Sequence, residues 1–216
     1  MLTDDEPALK TFDGLAAEVA ELRRLALRDR WGRALVAVGW FHLAVFLVCQ
    51  VLFWDGDRSP AHFLPLWGLD LASAVLIMRR ALGSRASRPA LGLLGVAVRV
   101  WVTYFILCFT AVSLNKLTGM QSEWFKISWA SLATFGFATM AWIFHLGFLI
   151  PAVQMSLTGL LIARFPSEAY WIFGVSWCLA LNGLGWTLER RRGPSRADDE
   201  DTNQRPATLG RVAEAR

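Results

Sequence analysis

Long apolar runs, each closed by arginine or by a short polar turn, organise residues 34–188. Each run approaches or exceeds the ~20 residues that carry a helix across a ~30 Å hydrocarbon core. The first covers 34–54, with Arg23, Arg24, Arg28, Arg30 and Arg33 before it and the acidic turn Asp55-Gly56-Asp57 after it. The second, 61–78, ends at Arg79 and Arg80, with Arg85 and Arg88 following; the third, 90–114, exits at Asn115-Lys116. By the positive-inside rule, the arginine-rich ends lie in the cytoplasm.

The stretch 127–163 is apolar throughout and too long for one helix. If Gly147 and Pro151 make a turn, it holds two short spans; if Pro151 only kinks it, one crossing results. The last run, 169–188, ends at Glu189-Arg190-Arg191-Arg192, and a cytoplasmic position for that cluster requires an even number of crossings. The pattern predicts an all-α, polytopic transmembrane helix bundle of six spans, with five as the alternative.

Before the first span, residues 11–30 read as an amphipathic helix. Phe12, Leu15, Val19, Leu22 and Ala26 lie on one side, and Glu18, Glu21, Arg24 and Arg28 on the other. The organisation is therefore a cytoplasmic segment 1–30, a transmembrane domain 31–192 and a cytoplasmic tail 193–216. The tail, with Asp198-Asp199-Glu200-Asp201, is too polar to fold alone and is expected to be disordered.

Composition sharpens this picture. The chain is 55% hydrophobic and 19% charged, against roughly 45–50% apolar residues in a soluble domain. The net charge of +4 does not imply nucleic acid, because the arginines gather at span edges rather than on one soluble face. Three lysines against 19 arginines, with abundant Ala, Leu and Gly, fit GC-rich coding and a bacterial inner, or plasma, membrane. Cys49, Cys108 and Cys178 lie apart within apolar runs, without disulfide or zinc spacing. Eleven tryptophans serve interface belts and packing.

Ionisable residues inside apolar runs are the strongest functional lead. A charge at the bilayer centre costs on the order of 3 kcal/mol or more. Asp70 lies nine residues from Arg79, Arg99 ten from Pro89 and His42 nine from Arg33, placing all three ~13–15 Å deep on a helical rise of ~1.5 Å. Asn182, seven residues before Glu189, lies ~10 Å deep. Together they predict an intramembrane polar layer of His42, Asp70, Arg99 and Asn182, with Asp70 and Arg99 as an ion pair. That pair either locks the registry of spans two and three or forms a titrating site with His42 as relay.

Gly92, Gly95, Arg99, Thr103, Thr110 and Ser113 form one stripe on the third span, read as facing the bundle interior or a polar pathway. Ala130, Thr134 and Ala138 follow a small-xxx-small spacing that permits close helix approach. Motifs of hydrolases, metalloproteases and phosphate-binding loops are missing. Lys116 and Lys126 are placed in the external loop. Haem ligation through His42 is disfavoured, because His145 is predicted near the cytoplasmic edge and His62 at the external end. No cofactor or metal is expected.

The resulting expectation is a non-enzymatic subunit or scaffold of a membrane complex, set in the lipid bilayer as a homo-oligomer or with other membrane proteins. The alternative is a small oligomeric channel or transporter using Asp70, Arg99 and His42.

Overall fold

The computed structural model describes residues 31–57, 59–82, 92–118 and 124–191, together with Gly14, Ala17, Val19 and Ala20. Those four are helical, but the amphipathic reading of 11–30 otherwise lies outside the described residues, as does the tail from residue 192. Six long helices follow: α1 (Trp31–Trp54), α2 (Pro60–Leu82), α3 (Gly92–Leu117), α4 (Trp124–Ile143), α5 (Leu149–Arg164) and α6 (Ala169–Arg191). Five spans, Trp31–Trp54, Ala61–Ala81, Gly95–Leu117, Leu146–Arg164 and Pro166–Arg190, are long and apolar enough to cross a membrane. The remaining helix, α4, runs 20 residues between α3 and α5 and carries Lys126 in its first turn.

The ambiguous 127–163 stretch contains a turn. His145 is extended, and its Nδ1 accepts from the Gly147 amide at 2.8 Å, capping a 3₁₀ turn at Leu146–Phe148. Pro151 then falls in the first turn of α5, where amides have no intrahelical acceptor and a missing N–H costs nothing. The proline therefore starts a helix instead of kinking one. Between α1 and α2, Gly56 turns the chain at φ 84°, a conformation that disfavours any Cβ.

Close approach of α1 and α6 is the tightest packing in the bundle. The two run antiparallel, with Gly32 against Gly185, Gly39 against Cys178 and Asn182, and Phe46 against Gly174. A Cβ on Gly185 would sit 2.5 Å from the Gly32 carbonyl oxygen, and one on Gly174 would sit 2.7 Å from the Phe46 Cβ. Small residues let transmembrane backbones meet where lipid offers no hydrophobic drive between helices. The α1 N-terminus and α6 C-terminus consequently share one end of the bundle. Ala130, 0% exposed, similarly brings α4 onto α5 at Gly159.

Aromatic rings fill the space between these helices. Phe46 of α1 touches Trp129 of α4 and Phe173 of α6, at centroid separations of 6.4 and 5.3 Å. Trp177 of α6 meets Trp101 and Tyr104 of α3 at 5.5 and 6.0 Å. Trp67 of α2 meets Trp129 edge-on at 4.9 Å. The tryptophans thus divide into core residues such as Trp129 and Trp177 and outward ones such as Trp54, Trp142 and Trp186.

Candidate functional site

Asp70 is buried on α2, and its partner is His42 of α1. The His42 Nδ1 lies 2.6 Å from Asp70 Oδ2, a charge-assisted hydrogen bond that becomes an ion pair when the imidazole is protonated. The imidazole stacks on Phe46 at 4.4 Å and lies 5.5 Å from the Trp177 ring. One heptad along α1, Cys49 is fully buried beside the Trp67 indole and near Asp70. The Nε2 of His42 and the Oδ1 of Asp70 are also buried and take no hydrogen bond among the described residues. The dyad therefore holds its ring in one orientation while leaving one donor-acceptor position on each residue unused.

The expected Asp70–Arg99 pair is not formed. Arg99 is exposed on the outer face of α3, and no ion pair joins it to a carboxylate among the described residues. The reason is rotational. At about 100° per residue, Arg99 lies about 140° from Tyr104 and about 180° from Cys108, the positions that α3 buries. Depth counting matched the level of the two charges but carried no information about the rotation of α3.

Thr103, Thr110 and Ser113 are likewise exposed, so the stripe points away from the bundle core and lines no path within this chain. Thr110 returns its hydroxyl to the Ile106 carbonyl at 2.8 Å, which satisfies it in an apolar setting. Asn182 donates to the Cys178 carbonyl at 2.7 Å and packs at the level of Gly39, about one turn from His42. The four-residue polar layer reduces to the His42–Asp70 dyad, with Asn182 a neighbour at a different level and Arg99 facing out.

Two polar devices had no sequence expectation. Gln50, 1% exposed, donates from Nε2 to the Ser167 carbonyl at 2.7 Å and accepts at Oε1 from the Tyr170 and Trp171 amides at 3.1 and 3.2 Å. It caps the α6 N-terminus from a different helix. Thr158 and Ser176 join hydroxyls at 2.6 Å, and Gln154 donates to the Ser176 carbonyl at 2.8 Å, tying α5 to α6. A glutamine eight residues beyond His42 and one beyond Cys49, on a helix whose side chains after Arg33 are otherwise apolar apart from His42, was the only signal for the first device.

Lys126 lies within α4 at 3% exposure, not in a loop, with its ammonium 3.8 Å from the Phe53 ring centroid and 4.2 Å from that of Tyr170. At the same end, Asp57 accepts from the Ser59 amide and pairs with His62. The Ser59 amide first, and then His62, hold the Asp57 carboxyl below its ordinary range. Among the described residues, no group of three His, Cys, Asp or Glu side chains is placed to hold a metal ion. His145 serves its own turn through Nδ1.

These features define a polytopic, all-helical membrane protein with an aromatic core and one buried histidine–aspartate dyad. No protein-family model, curated protein or solved structure matches the chain.

Proposed function

We propose that this chain is a non-enzymatic subunit or scaffold of a membrane complex, docked to its partner through the outer face of α3. The observation that carries the reading is Arg99, a charge four residues inside the membrane-spanning length Gly95–Leu117 and exposed on the outer face of α3. Intramembrane charges otherwise face a bundle interior or a water-filled cavity. A neighbouring helix seated on α3 supplies that interior, and the exposed Thr103, Thr110 and Ser113 extend the same contact line.

In this reading the protein sits in the cytoplasmic membrane with both termini inside. Arg33, Arg79, Arg80 and Arg190 all belong to the end shared by the α1 N-terminus and the α6 C-terminus, in the sense of the positive-inside rule. The alternative, an oligomeric channel, now requires a path between copies rather than through one, because aromatic rings occupy the centre of the chain.

The test is the mass of the chain extracted from its native membrane in mild detergent. An assembly larger than the 24.1 kDa chain is expected, reduced to a single chain by Arg99→Leu without loss of helicity. A wild-type chain that runs alone, or an assembly indifferent to Arg99→Leu, contradicts the reading. Ion flux through vesicles holding only this chain would favour the channel.

A further inference from the structure

The docking face raises the question of what sits on it, and charge complementarity narrows the answer. We infer that the partner at α3 is not a second copy of this chain but a transmembrane helix of another protein, carrying an Asp or Glu at the depth of Arg99. The inference rests on the subunit reading and names the chemistry of its partner.

Two observations exclude a second copy. Within the apolar lengths of the six helices, Asp70 is the sole carboxylate, and it is buried and bonded to His42. Glu189, in the last turn of α6 at the end from which α3 also begins, is already engaged: it lies 3.8 Å from Arg33 and packs on Gly32. Among the described residues, no face of this chain therefore offers Arg99 an unused anion at its own level. A two-fold dimer through α3 fares worse, because an isologous interface applies the same patch twice and brings Arg99 toward its own copy. Like charges at that depth repel without water to screen them.

Arg99 is also suited to a carboxylate. Its planar guanidinium can bind one through two parallel hydrogen bonds, which a hydroxyl or amide partner cannot match. The hydroxyl of Thr110 is already bonded to Ile106, so it adds surface without demanding a partner. The specificity of the face thus resides in one residue.

The test uses the full chain, fluorescently labelled, in phosphatidylcholine vesicles free of anionic lipid. The probes are model Leu/Ala transmembrane peptides carrying Asp, Asn or Leu four residues in from one end. Energy transfer is expected to show about tenfold tighter association of the Asp peptide than of the Leu peptide. That preference should vanish in Arg99→Gln, while Arg99→Lys should retain part of it. Absence of discrimination among the peptides overturns the inference, as does efficient α3-to-α3 cross-linking between copies. A third overturning result is Arg99-dependent enrichment of added phosphatidylglycerol around the chain without peptide discrimination, which would make a lipid phosphate the anion. The complex mass in native membranes is measured separately, so an intact assembly with an indifferent peptide series refutes the carboxylate partner while leaving the subunit reading standing.

Discussion

Replacing Gln50 with leucine removes a cap that α6 takes from α1, and the structure sets the scale of the loss. The Tyr170 amide loses a buried acceptor; Tyr170 is 4% exposed and Gln50 1%, so water does not replace it. A buried donor left unsatisfied costs about 1–3 kcal/mol. The partly buried Trp171 amide adds about 1 kcal/mol, comparable to loss of an N-cap. Ser167 is exposed, so its carbonyl finds other donors and contributes little. Leucine is of similar size and offsets part of this by packing, leaving a net loss of about 1–3 kcal/mol. Titration with SDS in mixed micelles, followed by tryptophan fluorescence, measures it. Hydrogen exchange should show the Tyr170 and Trp171 amides opening while those of α3 keep their protection. A variant within about 0.5 kcal/mol of wild type, or one whose exchange rises uniformly, would refute the capping argument.

Three further outcomes follow from the same geometry. Gly185→Ala should destabilise by about 1–3 kcal/mol, because the new Cβ lands 2.5 Å from the Gly32 carbonyl oxygen, whereas Gly183→Ala, with nothing within 4 Å, should be neutral or slightly stabilising in the same titration. Asp70→Leu and His42→Phe should each cost about 3–5 kcal/mol as single changes, each leaving a buried polar partner stranded; the double variant should recover most of that, and strict additivity in the cycle would show that the two residues do not act as a pair. In the loop, the Asp57 carboxyl is held below its ordinary value of 3.8, so its stabilisation of the turn is complete above that value and is lost as pH falls through the lower folded midpoint; carboxyl NMR of Asp57 and exchange at the Ser59 amide should report that loss together, and a midpoint at or above 3.8 would contradict it.

The helical content and approximate places of the helices were legible because lipid imposes a length rule that apolar runs report directly, whereas the choice between six spans and five was not: six long helices form and five are long and apolar enough to cross. Even the turn at His145–Phe148 was prefigured by Gly147 and by Pro151, whose position in the first turn of α5 decides between turn and kink. What depth counting could not supply was rotation. Asp70 and Arg99 share a level, yet the azimuth of α3 separates them, and that azimuth is set by Trp101, Tyr104 and Cys108 packing inward on α4 and α6. In a soluble helix the polar stripe faces water and marks the outside. In lipid, where both faces are apolar, the inward face of α3 is marked instead by aromatic and small residues at spacings of three and four, a signal present in Trp101, Tyr104, Phe105 and Cys108. The Gln50 cap was invisible for another reason: it joins residues 120 apart, and no local pattern links them.

The central claim is that the outer face of α3 is covered by another protein, and site-specific photo-cross-linking in intact native membranes tests it directly. A photoreactive residue at Thr103, Thr110 or Ser113 should yield discrete protein adducts, while one at Leu160 or Ile150, exposed on α5, should label lipid alone. The α3 adducts should disappear when Arg99→Leu is added to the same chain. Lipid labelling from α3 and α5 alike, or protein adducts that persist without Arg99, would contradict the account.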